Sequence, residues 1–273
     1  MTDSYAVFGN PIEHSRSPDI HACFAAATGQ DMRYSRQLVP IDGFAAAAEA
    51  FFRSGGKGLN ITLPFKQEAY AWATALTPRA RRAGAVNTLA ACDDGSILGD
   101  NTDGAGMVRD ILVNQGWRIE GRRVLILGAG GAVRGVLEPL LAEKPQAVTI
   151  ANRTAAKALA LAAEFSEIGS VSGCGYEALG GAQFDLVING TSASLSGDLP
   201  PLPADLLRAG ACCYDMAYGR EPTVFMAWAK AHGAVAVADG LGMLVEQAAE
   251  AFFLWRKVRP ETGQVIAWLR RGG

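Results

Sequence analysis

Short apolar runs alternate with stretches of helical period along the whole chain. Residues 5–9 predict a strand and 18–27 a helix. Residues 33–40 predict a second strand, and 43–53, rich in Ala and Phe, a second helix. A third strand is expected at 58–63 and a helix at 66–76. Residues 86–91 and 96–99 predict paired strands, because Asp94-Gly95 between them is a strong hairpin signal. The pattern over 103–115 is again helical.

A sharper unit begins at Arg123. Val124-Leu125-Ile126-Leu127 is a continuous apolar run of the kind a strand buried on both faces requires. A glycine cluster, a helix to Leu141 and a strand at 147–151 follow, which makes a βαβ unit with parallel strands. Further strands are expected at 186–188, 211–215 and 234–238, then helices at 241–255 and 263–269. Such alternation predicts an α/β protein of two open domains, with a parallel sheet in the second. A length of 273 residues suits two domains better than one core. The expected division is residues 1–102, completed by 241–273, and 103–240.

Composition narrows the classes. The net charge of −2 comes with no basic stretch, so nucleic acid is not an expected partner. Five cysteines without CxxC spacing fit a reducing compartment, and three histidines without ligand spacing give no metal site. The N-terminus has neither the charge nor the apolar segment of a signal peptide, and no uncharged apolar run is long enough to span a membrane. A soluble, intracellular chain is expected.

Gly128-Ala129-Gly130-Gly131-Ala132 lies between a predicted strand and a predicted helix, the context a dinucleotide fingerprint needs. Gly128 permits the tight turn and Gly130 lets the backbone approach a pyrophosphate, which the helix N-terminus would hold. Val133 stands where the third glycine of GxGxxG is usual, with Gly131 as an additional small residue. The complete βαβ unit disfavours a glycine-rich turn without a ligand. An NAD site usually has a carboxylate at the end of the second strand, about 20 residues on. Here that residue is Asn152, followed by Arg153, Thr154 and, one helical turn later, Lys157. A guanidinium forks onto a phosphate, whereas cations at a helix start are unfavourable without an anion. Asn152-Arg153-Thr154 therefore predicts a clamp for a 2′-phosphate, and NADP as cofactor.

Several polar residues interrupt apolar runs. Asn60 and Thr62 are two apart on a strand and share a face, as a satisfied polar pair or as the edge of a ligand site. Lys66, just after Pro64, puts a cation in a first helical turn. Asp100-Asn101-Thr102-Asp103 reads as a helix cap with Thr102 or Asp103 at its N-cap. Ser15-Arg16-Ser17-Pro18 also reads as a cap, with Pro18 first in the helix, or as a carboxylate site of hydroxyls and helix N–H groups. Asn87 is another polar residue inside an apolar run.

Taken together these segments resemble the shikimate dehydrogenase family over nearly the whole chain. The resemblance is carried by Tyr5-Ala6-Val7-Phe8-Gly9-Asn10-Pro11, His14-Ser15-Arg16-Ser17-Pro18, Asn60-Ile61-Thr62-Leu63-Pro64-Phe65-Lys66, Gly84-Ala85-Val86-Asn87-Thr88, Gly99-Asp100-Asn101-Thr102-Asp103-Gly104, Asn152-Arg153-Thr154 and Asp239-Gly240-Leu241-Gly242-Met243-Leu244. It implies reduction of 3-dehydroshikimate to shikimate with NADPH, on the route to aromatic amino acids. It implies an N-terminal substrate domain rejoined by the C-terminal helices, a Rossmann-type NADP domain between, and a cleft that holds the active site. Residue by residue, it implies that Lys66 and Asp103 are the catalytic pair. Ser15, Ser17 and Tyr218 would contact the substrate carboxylate, while Asn60, Thr62, Asn87 and Gln247 hold the ring hydroxyls. Met216, Gly240 and Met243 would neighbour the nicotinamide, and Thr191 would belong to the cofactor pocket.

The chain departs from the family pattern at Thr191-Ser192-Ala193-Ser194, where Thr-Ser-Ser-Gly is commoner, at Pro78, often acidic, and at Val133, often Ser or Ala. Two rival readings are a quinate/shikimate dehydrogenase of the same fold with relaxed cofactor use, and a non-catalytic dinucleotide-binding sensor. The absence of a carboxylate at Asn152 argues against NAD as the cofactor. The presence of both Lys66 and Asp103 argues against a sensor.

Overall fold

The computed structural model describes residues 2–191, 193 and 197–272. The chain forms two compact units, one of residues up to 106 with 245–271, the other of residues 107–244. Among the described residues no helix is long and apolar enough to cross a membrane.

The first unit contains β1 (Asp3–Gly9), α1 (Ser17–Thr28), β2 (Met32–Leu38), α2 (Phe44–Arg53), β3 (Gly58–Ile61), α3 (Lys66–Trp72), β4 (Ala75–Leu76), α4 (Pro78–Ala83), β5 (Thr88–Ala91) and β6 (Ile97–Asp100). The strands form one sheet in the order β2-β1-β3-β5-β6-β4. β1 runs parallel to β2 and β3, while β5 is antiparallel to both β3 and β6. Alternation along the strands divides the core. Ala6, Phe8, Leu59 and Ile61 join Phe44, Ala48, Phe65 and Ala69 on one face. The Tyr5 ring packs at a tilt of 33° on Trp255, whose indole N–H donates to the Leu89 carbonyl at 2.9 Å. A Cβ at Gly58 would overlap that indole, so only glycine fits there.

Two stretches of this unit differ from the sequence pattern. The helix expected over 66–76 stops at Trp72, and Ala75–Leu76 becomes an edge strand on β6. Thr74 decides this by accepting from Ile97 N–H through its hydroxyl, at 2.7 Å. α4 has no counterpart in the sequence pattern, although its signals are complete: the Thr77 hydroxyl caps Ala80 N–H, Pro78 is in the first turn, and left-handed Gly84 ends it. Pro78 thus has a helix-starting role.

The second unit is built from β7 (Arg123–Leu127), α6 (Gly131–Ala142), β8 (Ala147–Ala151), α7 (Ala155–Phe165), β9 (Val171–Cys174), β10 (Phe184–Asn189), β11 (Leu207–Asp215), α8 (Val224–Ala231) and β12 (Ala236–Ala238). Its sheet is wholly parallel, in the order β12-β11-β10-β7-β8-β9. This is the doubly wound order, whose direction reverses between β7 and β10, where such folds bind ligands. Val124, Ile126, Leu186 and Ile188 enter one core layer, and Leu125, Leu127 and Val187 the other. Burial on both faces is why these strands read as continuous apolar runs. The chain passes between the units within two helices, α5 (Asp103–Arg109) and α9 (Leu241–Arg256), and ends in α10 (Gly263–Arg270). The helix expected over 103–115 widens after Arg109 into a π-turn over Asp110–Asn114, closed by Gln115 N–H on the Asp110 carbonyl at 2.9 Å.

Candidate active site and cofactor site

Lys66 is the first residue of α3 and Asp103 the first of α5. The two starts converge so that Lys66 Nζ donates to Asp103 Oδ2 at 2.6 Å, with both side chains partly exposed. The other carboxylate oxygen, Oδ1, accepts from Asn87 Nδ2 at 2.8 Å. Asn87 itself is buried, and its orientation is set by Thr102 N–H, which donates to its Oδ1 at 2.9 Å. That bond leaves Nδ2 to face Thr102 Oγ1, Asp103 and, at 3.3 Å, Gln247 Oε1. Thr102 therefore turns its hydroxyl to this network instead of capping α5, while its carbonyl accepts Gly106 N–H. Lys66, Asn87, Asp103 and Gln247 form one connected cluster.

Asp100 supports the cluster from behind. Burial alone would push its carboxyl up. The Arg79 guanidinium outweighs this with bonds at 2.7 and 2.5 Å, aided by the Thr77 hydroxyl and Asn101 N–H, and holds it below the usual carboxylate range. Asn101 then braces the loop, donating to the Ala85 carbonyl and accepting from Asp103 N–H. Neither Arg79 nor Asp100 stands out in the sequence as a site residue. Asp100 lies in a motif that reads only as a cap.

A second polar layer lies on the β3 face that Asn60 shares with β2. Asn60 accepts from the Tyr34 hydroxyl at 2.7 Å and donates to the Asn87 carbonyl and Thr88 Oγ1. Its amide is thus satisfied from inside, and a ring hydroxyl would have to compete with these bonds. Thr62 follows β3, its methyl lying where a Cβ on Gly9 would be. Tyr34 also hydrogen-bonds Ser17, and burial raises its hydroxyl well above the usual value. Ser17 is the first helical residue of α1, so Arg16 occupies the N-cap and Pro18 comes second. No side chain caps this helix; Ser15 Oγ accepts Ser17 N–H at 3.3 Å. The expected cap with Pro18 first in the helix is corrected by one residue, which leaves the Ser17 hydroxyl to Tyr34. Beneath Tyr34 lies His21, fully buried and stacked on its ring at 4.3 Å and 9°. Asn60 faces it, but no hydrogen bond of ordinary geometry reaches either ring nitrogen. Tyr34 and His21 have no motif to mark them. A histidine among the apolar positions of α1 is the available signal.

The residues expected to hold the cofactor lie in the second unit. Gly128 has φ +104°, a conformation that favours glycine, and its N–H donates to the Ala151 carbonyl at 2.7 Å. Gly130 is the uncapped N-cap of the twelve-residue α6, and Gly131 its first residue. A Cβ on either would meet nothing within 4 Å, so the space above the helix start is open. Ala132 is exposed beside them, whereas Val133 turns inward to the core. Gly190, at the end of β10, lies against Val133 and the Met216 sulfur, and its carbonyl comes 3.1 Å from a Cβ built on Gly128. Thr191 donates through N–H and hydroxyl to Asn189 Oδ1, at 3.1 and 2.8 Å. Ser192 and Ser194 of the departing segment lie outside the described residues. Gly240 packs directly on the Met216 carbonyl, and Met243 packs against the adjoining core. At the end of β8, Asn152 Nδ2 donates to the Thr154 carbonyl, and Arg153 and Lys157 are exposed around the α7 start. Tyr218 is exposed on the loop after β11. An open, uncapped helix start at the sheet's switch point, with a cation at the second strand end, fits a phosphorylated dinucleotide.

Three family models match in order along the chain. Residues 7–89 match the shikimate dehydrogenase substrate binding domain, 111–196 the shikimate / quinate 5-dehydrogenase model, and 240–269 the shikimate 5′-dehydrogenase C-terminal domain. The shikimate dehydrogenase (NADP(+)) of Cellvibrio japonicus is 65% identical over 99% of this chain and 98% of its own. This chain belongs to the shikimate dehydrogenase family. That of Alkalilimnicola ehrlichii is 62% identical, over 99% of both chains. A crystal structure of shikimate 5-dehydrogenase from Thermus thermophilus, in complex with NADP(H) and shikimate, matches with a TM-score of 0.87 at 34% identity, over 99% of this chain and 100% of that one. Family membership accounts for the two-unit α/β architecture and for the order of the motifs.

Proposed function

We infer that the chain catalyses the reversible NADP-dependent conversion of shikimate to 3-dehydroshikimate. The observation that carries this reading is the Lys66–Asp103 pair at 2.6 Å, locked from behind by Asn87. Bound NADP supplies the two-electron acceptor for the alcohol, so the protein has to move only a proton. Lys66 Nζ takes the hydroxyl proton in oxidation and returns one in reduction. Asp103 holds the amine and hydrogen-bonds the reacting hydroxyl. Thr62, Asn87 and Gln247 orient the ring, with Asn60 ordering Tyr34 and the Asn87 backbone. Ser15, Ser17 and Tyr218 hold the carboxylate. Gly128, Ala129, Gly130, Gly131 and Ala132 hold the pyrophosphate, Asn152, Arg153, Thr154 and Lys157 the 2′-phosphate end, and Thr191, Met216, Gly240 and Met243 the nicotinamide end. The protein acts in the cytoplasm on this small molecule, as a monomer or homodimer. Steady-state assay with shikimate and NADP, followed at the NADPH absorbance band, tests the reading. No turnover by folded protein would refute it.

Cofactor choice is expected to rest on Arg153. A hydrogen bond to a charged group is worth ~1.5–3 kcal/mol, so Arg153→Ala should weaken preference for NADP over NAD roughly 10- to 150-fold. Kinetics with NAD should barely change. Wild-type protein that uses NAD as well as NADP would contradict the clamp and favour the relaxed-cofactor alternative.

Ser17→Ala tests the carboxylate site. The hydroxyl does not cap α1 but bonds Tyr34, so stability should fall by only about 1 kcal/mol, while KM for shikimate rises roughly 10-fold or more. NADP affinity should hold. A loss of stability with unchanged KM would remove Ser17 from the site.

A further inference from the structure

Asp110 and Tyr214 are not used by the proposed reaction, yet both are fully buried. The Tyr214 hydroxyl, at the end of β11, donates to Asp110 Oδ2 at 2.6 Å. Asp110 Oδ1 accepts from the side-chain amides of Asn114 and Gln115, at 3.1 and 3.2 Å. The π-turn at Asp110 permits this convergence. It places residues 110 and 115 one wide turn apart, so that Gln115 bonds Asp110 through both backbone and side chain. A Cβ on Gly242 would overlap the Asp110 carboxylate, so the first turn of α9 is pressed against it. The backbone N–H of Met243 donates in turn to the Tyr214 oxygen. Burial and the adjacent carboxylate keep the Tyr214 hydroxyl protonated, well above its usual value, so it remains a donor to Asp110.

The same turn is tied to the strand ends at the sheet's switch point. Gly240 N–H donates to the Ala217 carbonyl at 3.0 Å and packs on Met216, which lies over Gly190 beside the glycine loop. Asp239 Oδ1 accepts Leu241 N–H at 3.1 Å. Gly240, Gly242 and Met243 are thus held from two sides, by Met216 and by the Asp110–Tyr214 pair. A buried carboxylate with three side-chain donors is an expensive device for simple packing, where apolar residues serve as well. We propose that Asp110 and Tyr214 are positioning residues that fix the Gly240–Met243 turn against which the nicotinamide end of NADP is placed. The proposal rests on the NADP reading above. It adds two residues that touch neither substrate nor cofactor.

The experiment compares wild type with Tyr214→Phe, which keeps the ring, and with Asp110→Asn, which keeps the shape. Three readouts are needed: hydrogen exchange of the Met243 amide, affinities for NADPH and for 2′,5′-ADP by calorimetry, and kinetics. Expected results for Tyr214→Phe are faster Met243 exchange and weaker NADPH binding, with 2′,5′-ADP affinity within about twofold. kcat should fall about 10- to 100-fold at little-changed KM for shikimate, the cost of misplacing one reactant. Asp110→Asn should show the same pattern. Unchanged NADPH affinity and kcat alongside a lower Tm would overturn the proposal, since the pair would then only stabilise the fold. Parallel loss of 2′,5′-ADP and NADPH affinity would overturn it as well, as would failure of both variants to fold. The exchange and binding comparisons need no turnover. Failure of the proposed reaction in wild type is therefore distinguishable from failure of the positioning role.

Discussion

Lys66→Met should lower kcat by about 10²–10⁴, the usual contribution of a positioned acid–base group, with only a small change in KM for shikimate. The substitution keeps the length of the stem and removes the amine that donates to Asp103 Oδ2 in the 2.6 Å bond. Oxidation needs an acceptor for the hydroxyl proton, and reduction needs a donor for the same oxygen. A lysine at a helix start, partly exposed and tied to one carboxylate, can serve both directions. Asp103 is oriented independently of Lys66, because Asn87 holds its other oxygen and Asn101 its N–H. The variant should therefore leave the substrate pocket standing, which is why KM is expected to survive. Asp103→Asn should lower kcat too, and raise KM, since Asp103 both holds the amine and meets the substrate. If Lys66 were a binding residue, the pattern would invert, with KM rising and kcat intact. Saturating kinetics on folded Lys66→Met decide between them, and near-normal kcat rules out the proton-transfer role.

The features legible in the sequence are those carried by local pattern. The run Val124 to Leu127 announces a strand buried on both faces, and the glycines after it announce the turn, because Gly128 needs its positive φ whatever surrounds it. Lys66, Asn87 and Asp103 stand out as polar residues at helix starts or inside apolar runs, and the structure brings these three together. Features fixed by distant partners do not show. Thr74 is an unremarked polar residue until Ile97 donates to it across the sheet, and this ends the helical pattern at Trp72. Asp100 reads as a cap because its partner Arg79 lies on another element, 21 positions away. Asn60 leaves two readings open, a satisfied pair or a ligand edge. Its internal bonds to Tyr34 and Thr88 come from strands whose pairing no local pattern specifies. The π-turn at Asp110 is hidden for the same reason, since 103–115 has ordinary helical periodicity and the widening answers to Tyr214 and Gly242.

His21 should make the protein lose stability on acidification, well before its carboxylates are protonated. Burial among aromatic rings pushes its imidazole down to about 3 and outweighs the opposing influence of Asn60. The facing groups are Tyr34, Phe24, Phe252 and Trp255, and none of them can supply a countercharge. In the unfolded chain the same group titrates near its ordinary value of about 6.5. Above that pH both states hold a neutral ring, and the folded state has its full advantage. As pH falls below about 6.5 the unfolded chain takes up a proton that the folded protein refuses, so stability declines progressively until about pH 3. Each tenfold difference in proton affinity between the two states corresponds to ~1.4 kcal/mol, so the total loss is on the order of 4–5 kcal/mol, a large part of a typical domain's stability. The consequence reaches the active site, because His21 stacks on Tyr34, which in turn bonds Asn60 and Ser17. Urea unfolding of wild type and His21→Gln at intervals between pH 4 and 7 measures the effect. The glutamine cannot titrate, so the variant's stability should depend less steeply on acidity, by about 1 kcal/mol for each step of one in pH at the lower end. Equal slopes in the two proteins would mean that His21 is protonated in the folded state and that its burial does not control the acid limb.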